Sequence, residues 1–175
     1  MYENEFCEYA VIKKKEGAYL AKIVTFAVLA VLAAAIAFVV VIPLAGAVGF
    51  VIIAADAALV WYLSRYLSIE YEYSLSGEYM DFAAIYSKQY RKEKLSVELK
   101  KSARKVMPYD GKIEGFNVSS VLDLRSSKNA ENSYVLVYDA GDSEKAVLFD
   151  ATKKIVENMF HQIPSLVVRA DGLPE

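Results

Sequence analysis

The sequence predicts an α+β membrane protein, in which a two-helix transmembrane hairpin precedes an antiparallel β domain closed by a C-terminal helix. Three observations predict this class. No charged residue occurs in residues 23–55, polar and apolar residues alternate from residue 69, and the last apolar segment has helical spacing. A chain of 175 residues is long enough for one small soluble domain beside the membrane segment.

The uncharged run is too long for one straight transmembrane helix. It would form a helix of about 50 Å, whereas the hydrocarbon core of a bilayer is about 30 Å thick. A break is predicted at Pro43 and Gly46, because proline removes a helix donor and glycine permits a turn. The sequence therefore predicts a hairpin over residues 20–66, with spans at 20–42 and 46–66.

A secretory signal peptide is the alternative interpretation of the N-terminal part. Basic residues precede the first apolar run, and the small residues in 33–37 would suit cleavage. The run is longer than a signal peptide needs, and a second run follows at once. Both facts favour an uncleaved hairpin.

Lysine and arginine flank the two spans on one side only. They are Lys13, Lys14, Lys15, Lys22 and Arg65, and the connecting turn has none. The positive-inside rule therefore predicts a bacterial cell-membrane protein with both termini in the cytoplasm. Tyr19 and Trp61 are expected at the same interface, where aromatic rings are enriched. Residues 1–19 are interpreted as a cytoplasmic N-terminal segment.

The soluble domain is predicted over residues 69–168. Alternation from residue 69 indicates a strand with one wet face, and the turn signal at 76–78 leads into a second strand at 79–87. A third strand at 92–99 alternates in the same way. These segments predict a meander of antiparallel strands.

The remainder of the domain contains one clear hairpin. β-rich runs at 133–139 and 145–149 are separated by a short turn. Residues 108–111 indicate another turn, whereas 116–124 have the features of both a strand and a helical turn.

A C-terminal amphipathic helix is predicted after Asp150, which is expected to cap it. Its apolar positions are Ile155, Val156, Met159, Phe160 and Ile163. Pro164 ends the helix, and residues 169–175 are predicted to be a flexible tail.

Short strands closed by one helix resemble a pleckstrin-homology-like (PH-like) barrel or sandwich. The whole chain resembles an uncharacterised family of Firmicutes membrane proteins with a two-helix anchor and a bacterial PH-like domain, classified as a domain of unknown function. The matching features are Glu70-Tyr71-Glu72-Tyr73 after the second span, Gly77, the basic residues of 88–94, Val106-Met107-Pro108-Tyr109, and Val147-Leu148-Phe149-Asp150 leading into a helix that Pro164 stops. The resemblance implies this architecture and no established activity.

Positive charge is concentrated in residues 88–105, although the chain as a whole has a net charge of −2. The basic residues are Lys88, Arg91, Lys92, Lys94, Lys100, Lys101, Arg104 and Lys105. Because the domain begins shortly after the second span, we expect some of them to face acidic membrane lipids. A solvated strand face is the alternative. Nucleic-acid binding is not expected, since the chain is acidic overall and has no recognised binding motif.

Apart from Lys22 and Arg65 at the outer ends, Asp56 is the only charged residue within either predicted span, near the middle of the second one. A carboxylate at that depth is costly, so it should face away from lipid. Three interpretations stay open: a protonated carboxyl bonded within the hairpin, a contact with another protein or a second copy of the chain, and a proton or ion path. The first two predict that Asp56 lies on a helix-contact face.

Little in the sequence indicates catalysis. Cys7 is the single cysteine, and His161, the single histidine, falls on the polar face of the last helix. No phosphate loop, zinc-protease motif or nucleophile elbow occurs, so no cofactor and no metal are predicted.

The predicted function is therefore a non-enzymatic binding module on the cytoplasmic face of the membrane, engaging lipid headgroups or a protein partner. The alternative is a structural or regulatory subunit of a larger membrane complex, or a homo-oligomer, assembled through the spans.

Overall fold

The computed structural model describes residues 6–64 and 67–174, apart from the side chain of Ala45. Arg65, which the topology prediction uses, lies outside the described residues, as do residues 1–5 and Glu175. The chain forms two units. A helical unit covers residues 14–69, and a β unit combines the chain before it with the chain after it.

The helical unit consists of α1 (Gly17–Ile36), a π-helical segment (Ala37–Val41), α2 (Ile42–Ala45) and α3 (Ala47–Ser64). Two continuous stretches, Gly17–Leu44 and Ala47–Ser64, are long and apolar enough to cross a membrane, and only 6% of each is buried. The predicted pair of candidate transmembrane helices is therefore present. Within this unit, the Tyr19 hydroxyl donates to the Leu67 carbonyl at 2.6 Å.

The predicted break is placed differently by the structure. Gly46, with a φ of 55°, makes the turn, but Pro43 does not end the helix. It lies in the first turn of α2, directly after the π-helical segment. Proline disturbs the helical hydrogen bonding of the turn that precedes it, and this turn is the π-helical segment.

Close contact within the helical unit occurs beside this turn. Gly49 is buried, and a Cβ atom built on it would lie 2.8 Å from the Cα of Ile42. Ala37 is the buried residue on the other side of the turn. Ala34, Ala54 and Ala58, which are small enough to permit close helix contact, are exposed, so packing between the helices is closest near Gly46.

The first sheet has the strand order β1-β2-β3-β4. Its strands are β1 (Cys7–Ile12), β2 (Ile69–Ser76), β3 (Tyr79–Tyr86) and β4 (Tyr90–Glu98). The three later strands confirm the predicted meander, with β4 starting two residues earlier. β1 was not predicted from the sequence. It pairs antiparallel with β2 from Cys7↔Leu75 to Ile12↔Glu70.

The second sheet has the order β5-β7-β8-β6. Its strands are β5 (Ala103–Pro108), β6 (Val118–Asp123), β7 (Ser133–Asp139) and β8 (Glu144–Asp150). The predicted hairpin of β7 and β8 is confirmed, and the ambiguous segment contains β6, which runs parallel to β8. A short helix, α4 (Leu99–Ser102), connects the two sheets.

Aromatic side chains pack the two sheets face to face. Tyr73 and Phe82 of the first sheet and Phe149 of the second are fully buried, with ring centroids 5.5–5.9 Å apart in edge-to-face pairs. The predicted α+β class is therefore confirmed, as two stacked open sheets that do not close into a barrel.

The C-terminal helix is α5 (Lys153–Gln162), and its cap differs from the prediction. The hydroxyl of Thr152, not Asp150, accepts the Ile155 N–H. Asp150 is instead the last residue of β8, where it is buried. The predicted apolar face is confirmed for Ile155, Val156, Met159 and Ile163, which are buried, while Phe160 is half-buried.

Residues 169–174, predicted as a flexible tail, make backbone contacts with the β unit. The Ala170 N–H donates to the Tyr134 hydroxyl at 3.0 Å, and the Pro174 carbonyl accepts the Lys153 N–H at 2.8 Å. Just before the tail, Val167 forms a parallel bridge with Val106 of β5.

Candidate functional site

The two ends of the first sheet differ in how they are connected to the rest of the chain. At one end, Ile12 and Glu70 are paired, so the chain leaves the sheet for the helical unit and returns to it at neighbouring positions. Because β3 runs back along β2 after the turn at residues 77–78, the β3–β4 turn lies at this same end. We call this the anchor end. The opposite end, at residues 77–78, is the far end.

The turn at the anchor end is a four-residue reversal from Tyr86 to Gln89. The Gln89 N–H donates to the Tyr86 carbonyl at 3.1 Å. Ser87 and Lys88 both have left-handed backbones, with φ of 51° and 58°, as a type I′ turn requires. Such turns prefer asparagine and glycine, so a serine and a lysine here cost conformational energy.

Aromatic and basic side chains gather around this turn. Tyr86 and Tyr90 are paired across the hairpin, with ring centroids 6.3 Å apart, and Tyr90 is 59% exposed. Lys94 Nζ donates to the Tyr86 hydroxyl at 3.0 Å and lies 5.5 Å from the ring centroid. Lys92 is paired with Ala84, two residues before Tyr86, so it lies on the same face of the hairpin as the two tyrosines.

Lys88 and Lys92 are exposed, and neither forms an ion pair with any residue that the structure describes. We call the group formed by Tyr86, Lys88, Tyr90, Lys92 and Lys94 the basic tip.

Arg91 points to the other face of the same hairpin, where a carboxylate neutralises it. Its guanidinium contacts Glu72 Oε1 at 2.7 Å, through both Nε and Nη2. The hydrogen bond to Glu72 raises the pKa of Arg91. Arg91 is therefore part of the sheet surface and not of the basic tip.

Most of the remaining predicted basic residues are also paired. Lys100 contacts Glu78 at 2.6 Å and Lys101 contacts Glu98 at 3.7 Å, both at the far end. Arg104 of β5 contacts Asp139 at 2.5 Å, and this hydrogen bond raises the pKa of Arg104. Lys105 is half-buried on the same strand. The eight residues that sequence analysis grouped thus lie on several separate surfaces.

Asp56 lies on one face of α3 with Gly49, Ile53 and Val60, at spacings of three and four residues. All four are half-buried or buried, whereas the residues between them are exposed. Gly49 contacts Ile42 on the preceding helix, so this face of α3 is directed towards the first apolar stretch. No hydrogen-bond partner for Asp56 occurs within the described part of the chain.

A buried polar cluster escaped the sequence analysis. Asp150 is 1% exposed; its Oδ2 accepts the Ser126 N–H at 2.9 Å, while its Oδ1 has no partner among the described residues. Burial raises the pKa of Asp150, and the Ser126 bond acts in the opposite direction. Nearby, Arg125 binds both carboxylate oxygens of Asp123 at 2.8–3.0 Å and lies over the Tyr109 ring.

This cluster could have been found only through Asp150, whose position after an apolar strand suggested a cap. It stabilises the junction of β6, β7 and β8, since Arg125 also donates to the Lys128 carbonyl at 3.1 Å.

The other candidates form no catalytic arrangement among the residues that the structure describes. His161 is exposed on α5, beside the Phe160 ring. Within residues 6–64 and 67–174, no group of three histidine, cysteine or acidic side chains is arranged to hold a metal ion. A cleft of about 650 Å³ lies between α5 and residues 169–173 of the tail, and it is lined by Lys153, Glu157, Arg169 and Asp171 among others.

The two-sheet β domain agrees with the description of the family whose model matches the chain. The model of the family described as "Bacterial PH-like domain (DUF6106)" matches residues 3–169. The chain belongs to this family. The match includes β1 and the helical unit as well as the later strands. No curated protein and no solved structure matched the chain. A PH-like domain indicates a binding module.

Proposed function

We propose that the protein is a non-enzymatic binding module, held by two transmembrane helices on the cytoplasmic face of a bacterial cell membrane, where it engages acidic lipid headgroups. The pairing of β1 with β2 carries this proposal. Ile12 and Glu70 are neighbours in one sheet, so both connections to the helical unit start from the same place. Two helices joined by a tight turn return the chain to the side from which it entered.

Charge supports the cytoplasmic side. Lys13, Lys14, Lys15 and Lys22 flank the start of the first apolar stretch, and the connecting turn has no basic residue. The inner leaflet carries acidic lipids, which attract basic residues close to the membrane. The basic tip lies at the end of the sheet from which these connections start.

Cysteine labelling tests the proposed topology. Leu44→Cys lies beside the turn of the helical unit, and Asp142→Cys lies in the β7–β8 turn; both positions are exposed, whereas the native Cys7 is buried. A membrane-impermeant maleimide applied to intact cells should label position 44 and not position 142 until the membrane is permeabilised. The parent protein is the control. Labelling of position 142 in intact cells would refute the cytoplasmic placement.

Lipid retention tests the ligand class. The full chain is purified in mild detergent, exposed to equal amounts of phosphatidylglycerol and phosphatidylcholine, and examined by native mass spectrometry. Preferential retention of phosphatidylglycerol that declines with salt is expected, because the attraction is screened. Equal retention of both lipids would contradict the proposal, and a stoichiometric protein bound in place of lipid would favour the second candidate.

The second candidate is a subunit of a larger membrane complex, and Asp56 is the observation that favours it. A half-buried carboxylate with no partner in the described residues is costly inside a bilayer. A polar group from another protein, or from a second copy of the chain, would satisfy it.

Paired substitutions at Asp56 test this candidate. Asp56→Leu should lower membrane abundance and change the assembly state on a native gel, while Asp56→Asn, which keeps the hydrogen-bonding capacity, should have a smaller effect. If Asp56→Leu behaves as the parent does in both assays, Asp56 makes no contact that assembly needs.

A further inference from the structure

We infer that the basic tip is the surface that contacts acidic headgroups, and that the basic residues of the far end take no part in lipid binding. This inference rests on the proposed function and assigns it to one hairpin. The lipids are those of the bilayer that holds the protein's own helices, because the contact depends on where the sheet is attached.

The two ends of the sheet lie at different distances, along the strands, from the connections to the helices. Only residues 13–16 separate Ile12, the last residue of β1, from α1, and Ile12 is paired with Glu70 in the sheet. The anchor end is therefore joined to the helices by a short connection. The far end is separated from the anchor end by the length of β3, eight residues or about 26 Å. The Debye length at physiological salt is only about 8 Å. A lysine at the far end is therefore attracted much more weakly by a membrane at the anchor end.

The lysines at the two ends of the sheet differ in whether a carboxylate pairs with them. Lys100 and Lys101 are paired with Glu78 and Glu98, so their net attraction for an anionic surface is reduced. Lys88 and Lys92 have no carboxylate partner in the described residues and lie on an exposed hairpin. The two groups carry the same number of lysines but not the same available charge.

Two tyrosine side chains lie beside the lysines of the basic tip. Tyr90 is largely exposed and Tyr86 half-buried, and they form a ring pair directly beside Lys92 and Lys94. Tyrosine rings are favoured at the level of lipid headgroups, where one edge is apolar and the hydroxyl remains hydrated.

The backbone conformation of the β3–β4 turn is unfavourable for the lysine that it contains. Lys88 has a φ of 58°, at which glycine would be more stable. A lysine therefore lowers the stability of the hairpin while placing a charge at its outermost point. This predicts opposite signs for fold stability and lipid binding when Lys88 is replaced by glycine.

The experiment compares two double variants that remove the same charge. Lys88→Gln/Lys92→Gln changes the basic tip, and Lys100→Gln/Lys101→Gln is the matched control at the far end. The full chain is reconstituted in nanodiscs of phosphatidylcholine alone or with phosphatidylglycerol added. An environment-sensitive fluorophore is attached at Gln89→Cys, an exposed position of the turn, and the preference for phosphatidylglycerol is also measured by native mass spectrometry in detergent.

The expected results separate the two ends. The parent's fluorophore should enter a less polar environment in acidic nanodiscs, and high salt should reverse the change. The tip variant should lose the fluorescence change and about tenfold or more in lipid preference, while the control variant retains both. Lys88→Gly should bind acidic lipid more weakly than the parent, yet unfold at the same or a higher denaturant concentration.

Three results would overturn the inference. A control variant that loses as much as the tip variant would show that only total charge matters. A tip variant that keeps the parent's preference would show that the lipid contact lies elsewhere. A parent without any preference for acidic lipid would remove the proposed function as well, which distinguishes that failure from the other two.

Discussion

Phe50 and Phe149 have the same side chain and opposite surroundings. Phe50, in the helical unit, is 65% exposed, whereas Phe149, in the β unit, is fully buried against Tyr73 and Phe82. Apolar side chains in the helical unit are exposed along most of both candidate spans, and those of the β unit form a core between two sheets. Under the proposed membrane placement, the helical unit is folded for lipid and the β unit for water, so an apolar residue has a different energetic role in each.

The strongest effect on stability is expected when a buried ring of the β unit is removed. Phe149→Ala should lower the free energy of unfolding of the β unit by about 3–5 kcal/mol, because it leaves a cavity among packed rings. Phe50→Ala removes the same atoms from an exposed position and should leave the stability of the β unit unchanged. The measurement is urea unfolding of the full chain in nanodiscs, followed by protease protection of residues 133–150.

An equal loss of protection in both variants would contradict the comparison, since it would mean that the exposed face of α3 also stabilises the β unit. Trp61 lies in the helical unit, so its fluorescence is not a suitable probe for this unfolding.

A smaller effect is expected where the helical unit does pack. Gly49→Ala would place a Cβ atom 2.8 Å from the Cα of Ile42, and the helices would have to separate at the turn. Overpacking of this kind costs about 1–3 kcal/mol. Cross-linking between cysteines placed in the two apolar stretches near the turn should become less efficient.

Ala54→Val is the matched control for Gly49→Ala, because Ala54 is exposed on the same helix. If Ala54→Val reduces cross-linking as strongly as Gly49→Ala, the close approach at Gly49 is not what holds the helices together.

The smallest expected effect is a dependence on pH within the β unit. Burial raises the pKa of Asp150 above its ordinary value of 3.8, so the folded state holds this proton more strongly than the unfolded state. Its contribution to stability is therefore greatest at acid pH and is lost as the pH rises through the raised pKa. The free energy of unfolding of Asp150→Asn, relative to the parent, should increase as the pH rises above the ordinary carboxyl pKa of 3.8.

Asp123 provides a control of opposite sign. Burial tends to raise its pKa, but the hydrogen bonds from Arg125 outweigh burial and lower it. Asp123 therefore stabilises the fold above its unfolded pKa, and this contribution is lost as the pH falls. Asp123→Asn should be least stable relative to the parent at neutral pH. The same direction of change in both variants would exclude the assigned causes.

Local pattern was sufficient for much of this fold. The uncharged run, the alternation of β2, the hairpin of β7 and β8 and the apolar face of α5 were all predicted, because each depends on residues close in sequence. β1 was not, since a six-residue strand before a long apolar run has few residues to form a pattern. The cap at Thr152 was missed because Asp150 is an equally good cap by residue type, and only burial assigns it to the sheet.

The candidate site divides in the same way. The excess of basic residues in 88–105 and the position of Asp56 within an apolar run can be read from the sequence alone. Which of these charges are available depends on the tertiary fold, because Glu72, Glu78 and Asp139 are far from their partners in sequence. The tertiary fold also places Lys88 at the anchor end and Lys100 at the far end. Strand pairing sets those positions, and pairing depends on contacts between segments that the chain order alone does not specify.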